Sequence, residues 1–410
     1  MIRISIAALA LALSACGGGG GNGPMPAAIT AQSGTTPAPA ASQPALVASP
    51  PDVANTTLAG NQSIRSVGAL ANGGHAVAWL SQDGVTAALF VQRYDAQGVK
   101  AGGETRIAYD VNAQEDPAIA VLRDGSVIVA SVKSAPDGSN VDWTVFARRF
   151  DPNGAAAGND TLVATLVESP VGAAVHRFLA QPVLLALDDG GVAAGWASVD
   201  ADYTGKVNAL HAQRFDARMN PVGAQVDFAA NGGDRNLALK LVAIPGGEFI
   251  AGATHRFQGI PYVQYRIGAR DIGPLFDANA GLPEFNTTLL PLADGRLALW
   301  STGSNGGYMQ MLDAAGQPVA AATTVPVVPE TAFALPGGGW VAIARQMQGL
   351  PDLAQRYDAS GNAVGGAVEV AEGMSRPLAT ASMGGMLALG WTFTGALGDA
   401  DVRTQRITAN

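Results

Sequence analysis

The sequence has little cysteine, little charge and no basic run. Cys16 is the one cysteine among 410 residues, so the chain forms no intramolecular disulfide and no cysteine metal cluster. Charged residues make up 14% of the chain, and the formal net charge is −9. Proteins that bind nucleic acid or anionic lipid headgroups usually carry a basic patch, so this composition argues against both as partners.

Motifs of the common hydrolases are also missing. The sequence contains no Gly-x-Ser-x-Gly turn and no closely spaced histidine pair of the zinc protease type. The histidines lie far apart, so a zinc site would have to be assembled by folding alone. We interpret them as surface or inter-repeat residues. They are His75, His176, His211 and His255.

The first fifteen residues have the layout of a secretory signal peptide. Arg3 supplies one early positive charge, an apolar run follows from Ile4 to Leu13, and small residues come next. The apolar run is too short to span a bilayer. We therefore expect export from the cytoplasm.

The end of this segment, Leu13-Ser14-Ala15-Cys16, resembles a bacterial lipobox. That resemblance implies cleavage before Cys16 and lipidation of its thiol and new amino group, with palmitate as one such lipid. Gly17, at the position where aspartate implies retention in the inner membrane, favours the outer membrane. The alternative is an ordinary signal peptide with an incidental cysteine. The expected location is the bacterial cell envelope, with the lipid at Cys16 as the membrane anchor.

The rest of the chain divides into a linker and a repeat region. Residues 17–52 are dominated by Gly, Ala, Pro, Ser and Thr without an apolar period, which predicts a flexible linker. Residues 53–410 repeat an apolar segment, a glycine turn and a second apolar segment, with successive turns 43 to 65 residues apart. The turns are Asn72-Gly73-Gly74, Asp124-Gly125, Asp189-Gly190-Gly191, Pro245-Gly246-Gly247, Asp294-Gly295, Pro336-Gly337-Gly338-Gly339 and Gly384-Gly385.

A tryptophan follows several of these turns on the second apolar segment. It lies five residues after the last glycine in three repeats and six after it in a fourth. An aromatic residue at a fixed strand position indicates a conserved packing site within the repeat unit. The tryptophans are Trp79, Trp196, Trp300 and Trp391.

A second motif of glutamine, arginine, an aromatic residue and aspartate ends the third segment of each clear repeat. Asp95 and Gly98 have the spacing of a type I turn, in which aspartate accepts backbone N–H bonds and glycine takes a positive φ. We interpret the arginine as a clamp between neighbouring repeats rather than a ligand-binding residue, because a buried guanidinium needs carbonyl or carboxylate partners. The arginines are Arg93, Arg149, Arg214, Arg356 and Arg406.

Four antiparallel strands in about 50 residues predict the blade of a β-propeller. We expect an all-β, seven-bladed propeller, with six or eight blades as alternatives because the fourth and fifth repeats are degenerate. The last repeat reaches Gln405 and Arg406 and stops before a fourth strand. Residues 52–60 have the length and content of that strand. We expect this N-terminal strand to complete the last blade and close the ring.

The segment from Leu187 to Asp216 combines the Asp-Gly-Gly turn, Trp196 and the Gln-Arg-Phe-Asp motif. It resembles a propeller-type repeat that is common in secreted and surface proteins of bacteria. The resemblance covers nearly all of residues 53–410. It implies a fold and an extracytoplasmic address. It implies no catalytic residues.

Carboxylates remain as candidate ligands or catalysts. The turn aspartates are explained by their turns, whereas Glu115 and Asp116 precede an inner strand and are candidates for the channel mouth. Calcium is a weaker prediction, because the available aspartate pairs lack the further oxygen ligands that calcium loops use. Those pairs are Asp200 with Asp202, and Asp399 with Asp401.

These patterns favour a lipid-anchored binding or scaffold module that presents propeller loops to a protein or glycan partner. The alternative is a glycan-active hydrolase or lyase with its site at the mouth of the central channel. No cofactor is expected, apart from the calcium alternative.

Overall fold

The structure is a computed structural model, and all of its regular structure is β-strand. No helix occurs in the ranges it describes, and so none that could cross a membrane. The described residues are 46–56, 60–83, 86–112, 117–137, 140–167, 177–200, 206–234, 237–244, 247–255, 263–267, 270–272, 287–303, 306–314, 317–325, 329, 331–335, 337–344, 350–371, 378–381, 386–394 and 400–409.

The strands form six sheets, which we number 1 to 6. Sheet 1 has nine strands and two halves. Its first half is β3 (Asn61–Ala69), β4 (His75–Asp83), β5 (Thr86–Tyr94) and β6 (Thr105–Asn112). Its last half is β27 (Leu378–Ala381), β28 (Met386–Thr394) and β29 (Ala400–Ala409), with β1 (Leu46–Ala48) and β2 (Asp52–Val53) paired to β29.

The other five sheets have four strands each, in the order in which the chain makes them. Sheet 2 is β7 (Ala118–Val121), β8 (Val127–Asp137), β9 (Asn140–Phe150) and β10 (Thr161–Val167). Sheet 3 is β11 (Arg177–Ala186), β12 (Val192–Asp200), β13 (Lys206–Phe215) and β14 (Pro221–Asp234). Sheet 4 is β15 (Leu237–Ile244), β16 (Glu248–His255), β17 (Val263–Ile267) and β18 (Arg270–Ile272). Sheet 5 is β19 (Thr287–Pro291), β20 (Leu297–Gly303), β21 (Gly306–Leu312) and β22 (Thr323–Val325). Sheet 6 is β23 (Thr331–Ala334), β24 (Trp340–Ala344), β25 (Asp352–Tyr357) and β26 (Ala363–Val370).

Many small antiparallel sheets in sequence order make this a β-propeller-like fold. The degenerate fourth and fifth repeats still form four-stranded sheets, sheets 4 and 5. The first strands contact one another in succession: β3 with β7, β7 with β11, β11 with β15, β15 with β19, β19 with β23, β23 with β27, and β27 with β3.

Burial changes from the inner to the outer strands of a sheet. Every residue of β24 is buried, as are the first six residues of β28, because both faces of these strands pack against other strands. The outer strand β26 is mostly exposed. The apolar content of the second strands therefore reflects packing between neighbouring sheets.

A buried leucine begins most of the turns between first and second strands. Its carbonyl accepts a hydrogen bond from the glycine three residues later, and that glycine has a φ between +82° and +89°. A side chain at the intervening position, such as Asp124 or Asp189, accepts the N–H two residues on. The leucines are Leu70, Leu122, Leu187, Leu292 and Leu335.

The N-terminal strand lies beside the last strand, but its position differs from the prediction. Leu46–Ala48 pair with Ile407 to Ala409, and Asp52–Val53 pair with Arg403 and Thr404. The pairing segment is thus 46–53 rather than 52–60, and it begins inside the predicted 17–52 linker. The strand begins earlier than predicted because Leu46 is buried in the core cluster that contains Ile407, although its neighbours in sequence are typical of a linker.

In the second repeat, β8 and β9 continue as a long hairpin in which Asp137 pairs with Asn140. In the third repeat, Asp200 pairs with Lys206, and residues 201–205 lie outside the described ranges.

Candidate functional site

The turn between third and fourth strands has the predicted chemistry. One carboxylate oxygen of Asp95 accepts the N–H groups of Gln97 and Val99, at 2.9 and 2.8 Å. Gly98 has a φ of +78°, and a Cβ there would meet the Arg406 guanidinium. The turn therefore favours glycine at this position, and any side chain there would have to displace the end of the Arg406 side chain. Asp151, Asp216 and Asp358 form the same pair of backbone hydrogen bonds.

The glutamine of the motif has a structural role that the sequence did not reveal. Gln213 Nε2 donates to the carbonyls of Arg214 and Val222, at 2.9 and 3.0 Å, and its residue is skipped in the pairing of β13 with β14. Gln92 and Gln355 form equivalent bonds across their own hairpins. This glutamine therefore joins the third strand to a bulged fourth strand.

In the last repeat the same glutamine contacts the N-terminal segment. Gln405 Nε2 donates to the carbonyl of Ser49 at 2.6 Å, and its Oε1 accepts the N–H of Ala371. Ser49 thus replaces the fourth-strand carbonyl that the other glutamines contact. The N-terminal segment also contacts the first half of sheet 1, because Tyr94 donates its hydroxyl to Asp52 at 3.1 Å.

Three of the repeated arginines reach from one sheet, or from one half of sheet 1, to another. Arg149 of sheet 2 donates to the carbonyl of Ala217 in the β13–β14 turn of sheet 3. Arg406 donates in the same way to Ala96, which follows the turn aspartate Asp95. Arg93 donates to the carbonyl of Gly125 in sheet 2 at 2.8 Å. These contacts are those expected of a clamp between repeats.

Arg214 uses carboxylates instead of a carbonyl. Its guanidinium pairs with Asp189 in its own sheet and with Glu248 of sheet 4 at 3.5 Å. Arg356 has the equivalent strand position, opposite Val341.

Sheet 5 has a methionine where the motif would place arginine, and an arginine from elsewhere in the sheet makes the contact instead. Met311 pairs with Ala298, as Arg93 pairs with Ala76. Arg296, from the β19–β20 turn, donates to the carbonyl of Ala359 at 2.5 Å. A guanidinium from a different turn therefore contacts the carbonyl after the turn aspartate of the next sheet.

All four predicted tryptophans are buried, but one is not equivalent to the others. Trp79, Trp196 and Trp391 pair with the residue two before the motif glutamine. Trp300 pairs with Met309, one residue before Gln310, so it lies on the opposite face of its sheet. The equal spacing was misleading, because the turn position after Gly295 is filled by arginine rather than by a second glycine. Trp300 instead packs edge-on against Trp340 of sheet 6.

A pocket of about 540 Å³ opens between sheets 2 and 3. Three segments line it: the β7–β8 turn with Asp124 and Ser126, the β9–β10 connection from Asp151 to Thr161, and the β13–β14 turn from Ala217 to Met219. The Arg149 clamp joins the first and third of these segments, because it also contacts Asp124 and Ser126.

The pocket carries charges of both signs. Burial alone raises the pKa of Asp124, but hydrogen bonds from Ser126 and the charge of Arg149 hold that pKa below its ordinary value. The pKa of Asp160 is likewise lowered against the effect of burial, by hydrogen bonds from Arg148 and Lys133. Arg218 is exposed at the same pocket. The pocket therefore presents ionised carboxylates and a guanidinium at neutral pH.

Met219, which lines this pocket, has an unusual backbone conformation. It has a φ of +66° at the turn position where Gly98, Gly154 and Gly361 occur in other repeats. Its side chain is buried in the core cluster that contains Phe215. The backbone conformation is unfavourable for a residue with a Cβ, and the packing of the side chain compensates for it.

The candidate calcium residues are mostly outside the described ranges. Asp202 and Asp399 are not described, nor is the side chain of Asp200. Asp401 accepts a hydrogen bond from Asn55 Nδ2 at 3.3 Å. In the part of the chain that the structure describes, no three His, Cys, Asp or Glu residues are grouped as a metal site. Cys16, Glu115, Asp116 and His176 also lie outside it.

Two of the histidines are in defined polar settings. His75 is buried and stacks on Tyr94, with ring centroids 4.5 Å apart. His211 lies between Ser198 and Asp227: its Nε2 is 2.8 Å from the Ser198 hydroxyl, and its Nδ1 is 2.7 Å from an Asp227 carboxylate oxygen. The sequence analysis did not find the group of Ser198, His211 and Asp227. Its residues lie on three strands, and their register cannot be read from the sequence.

Comparisons with known proteins give structural likenesses only. No protein-family model matches the chain, and no curated protein matches it in sequence. The chain is similar to a protein of unknown function from Dyadobacter fermentans, with a TM-score of 0.46 and 12% identity over 89% of this chain and 99% of that one. It is similar to the polysaccharide lyase Uly1, with a TM-score of 0.49 and 11% identity over 87% and 91%. It is also similar to prolyl oligopeptidase B from Galerina marginata, with a TM-score of 0.45 and 11% identity over 82% of this chain and 47% of that one.

Proposed function

We propose that this protein is a lipoprotein of the bacterial cell envelope, anchored through Cys16 at the outer membrane, whose seven-bladed propeller binds a partner. The sequence layout of residues 1–16 supports the anchor. The linker that follows gives the folded region reach from the membrane surface.

Three observations support seven blades in a closed ring. Seven groups of strands can be counted when sheet 1 is divided into its two halves. Their first strands contact one another in a cyclic order that ends with β27 against β3. Segment 46–53 supplies the fourth strand of the last group, and Ser49 takes the place of a fourth-strand carbonyl.

The observation that carries the binding role is the charged pocket between sheets 2 and 3. Its turns are held in place by backbone hydrogen bonds to Asp124, Asp151 and Asp216, and by the Arg149 clamp. A pocket held in one shape loses little conformational entropy when a ligand enters. Its mixture of carboxylates and the Arg218 guanidinium fits a protein surface that carries both charge signs.

The test is crosslinking in the native envelope. A photo-reactive residue at Asn159, exposed at the pocket, should capture one distinct protein. The same residue at Val319, which is 52% exposed in the β21–β22 connection, is the matched control and should not capture it. Arg218→Glu should reduce capture at Asn159 because it reverses the charge at the pocket rim.

The glycan-active alternative makes a different prediction for the same experiment. Recovery of glycan alone at Asn159 would overturn the scaffold role. Equal capture at Asn159 and Val319 would also overturn the assignment of the pocket as the binding site.

A further inference from the structure

Ser198, His211 and Asp227 form a continuous hydrogen-bonded chain across three neighbouring strands of sheet 3. The Ser198 hydroxyl is 2.8 Å from Nε2 of His211, and Nδ1 of His211 is 2.7 Å from Asp227 Oδ1. Ser198 is on β12, His211 on β13 and Asp227 on β14.

The strand register brings these residues together. His211 lies directly opposite Asp227 on one side and opposite Trp196 on the other. Ser198 is two residues beyond Trp196, so both side chains project from the same face of β12. A diagonal neighbour on the adjacent strand is within reach of a side chain, which places Ser198 against the imidazole.

The imidazole is held in one orientation by its surroundings. Trp196 stacks on it, with ring centroids 5.5 Å apart and planes 21° from parallel. Gln225 Nε2 donates to the same Asp227 oxygen at 2.6 Å, which fixes the carboxylate. Because Asp227 accepts from Nδ1–H, the hydrogen-bond network assigns the free lone pair to Nε2, beside the serine hydroxyl.

This arrangement has the parts of an activated serine: a nucleophile, a base within hydrogen-bond reach, and a carboxylate that orients the base. Such groups are recognised by geometry and not by their order in the chain. The side chains of Asp227 and Ser198 are not sealed in the core, since Asp227 is 57% exposed and Ser198 is partly exposed.

We infer that Ser198 is the nucleophile of an acyl-transfer site that cleaves esters with a short acyl group. The Ser198 oxygen would form a bond to the ester carbonyl carbon while its proton moves to His211 Nε2. The C–O bond to the alcohol then breaks, and His211 returns the proton to the leaving alcohol. Water would hydrolyse the acyl-serine by the same route, releasing a carboxylic acid and restoring the serine.

The short acyl group follows from the apolar surroundings. Trp196 belongs to a buried cluster with Val145 and Leu179, and Leu166 of β10 packs against that cluster. Leu179 is the register partner of Ser198 on β11. These close-packed side chains would limit the acyl group to a small one, and the exposed side at Asp227 would leave the alcohol portion toward solvent.

Ser81 is a matched control within the same molecule. It lies two residues beyond Trp79, as Ser198 lies two beyond Trp196. Its hydroxyl accepts a hydrogen bond from Gln62 Nε2 at 2.9 Å, so its neighbour is an amide and not a base. Any reactivity that comes from strand position alone should appear at both serines.

The experiment is treatment of the full-length protein with a fluorophosphonate probe, with the adduct located by peptide mass spectrometry. We expect an adduct on Ser198 that forms about 10²-fold faster or more than any adduct on Ser81, the usual scale of general base assistance. Asp227→Asn should slow the labelling of Ser198 at least about tenfold with the melting temperature retained, because the amide no longer favours the required tautomer. Hydrolysis of p-nitrophenyl acetate should be lost in Ser198→Ala and kept in Ser81→Ala.

Two results would overturn the inference. One is the absence of an adduct on Ser198 in the unmodified protein, a result that does not depend on whether any variant folds. The other is labelling of Ser198 at the same rate in folded Asp227→Asn, which would leave the three residues as a structural hydrogen-bond chain.

Discussion

At the scale of single residues, the turn chemistry could be read from the sequence and the buried polar contacts could not. Asp95 and Gly98 follow rules that depend on a few adjacent positions, so their roles were predicted. Gln213 and His211 depend on which strand lies beside them, and that register is set by the tertiary structure. The roles assigned to polar residues on strands therefore changed most once the fold was known.

His75 illustrates the cost of burying a titratable group. Burial, together with a smaller effect of the Arg406 charge, lowers the pKa of His75 from 6.5 to about 4, and the charge of Asp95 opposes this shift. The folded state therefore disfavours the protonated form, whereas the unfolded chain takes up the proton near pH 6.5. The stability contribution of His75 is complete above pH 6.5 and is lost as the pH falls from there toward 4.

We expect His75→Phe to remove this pH dependence. Phenylalanine keeps the aromatic stack on Tyr94 and cannot be protonated. Between pH 7 and pH 5 the free energy of unfolding of the parent should fall by about 2 kcal/mol more than that of the variant. Urea unfolding at the two pH values measures this difference. Parallel changes in both proteins would show that His75 is not the titrating group.

At the scale of elements, arginines join different groups of strands. Arg93 and Arg149 each donate to a backbone carbonyl of the next sheet along the chain, and Arg406 joins the last half of sheet 1 to the Ala96 carbonyl of its first half. Arg296 makes the equivalent contact from the β19–β20 turn, so the contact is kept although the motif is lost in that repeat. The motif led us to predict a clamp at the repeated arginines, but it could not reveal Arg296, because that contact depends on two turns that meet in space.

We expect Arg214→Ala to lower the free energy of unfolding by about 1 kcal/mol, because it removes charged contacts to Asp189 and Glu248 that are only partly screened by water. Thermal melting and urea unfolding measure the effect, and partner capture at the pocket should not change.

Arg123→Ala is the control for this variant. Arg123 pairs with Asp188 at 3.6 Å, and that pair is more exposed than the Arg214 contacts. We expect a change within about 0.5 kcal/mol for the control. An unchanged melting temperature for Arg214→Ala would refute the clamp.

At the scale of the whole molecule, the sequence predicted the all-β class and the pairing of an N-terminal strand with the last strand. The predicted range of this strand, 52–60, was wrong, because the short apolar run at Leu46 is hard to distinguish from the linker around it. Its burial depends on the distant partner Ile407.

The ring closure can be tested with an engineered disulfide. Val47 and Thr408 are register partners, and paired strand residues have Cα separations that a disulfide can span. In a Cys16→Ser background, we expect V47C and T408C to form a bond on mild oxidation and to raise the melting temperature. Alkylation followed by mass spectrometry counts the free thiols.

V47C with V319C is the control pair, since Val319 is exposed in the β21–β22 connection and is not paired with β1. Its thiols should stay free. Free thiols in the V47C and T408C protein would argue that segment 46–53 does not rest on β29.

The pairing of β1 and β2 with β29 also determines when sheet 1 can be completed during synthesis of the chain. The ribosome makes segment 46–53 before the other described strands, and it makes β29 after them. The last half of sheet 1 therefore cannot be completed until β29 has been made, and contacts between such distant segments form slowly. A chain that lacks β29, or that is clipped near Leu46, is left with an unpaired strand edge. Loss of either segment would thus present an unpaired strand to the proteases that survey newly made proteins.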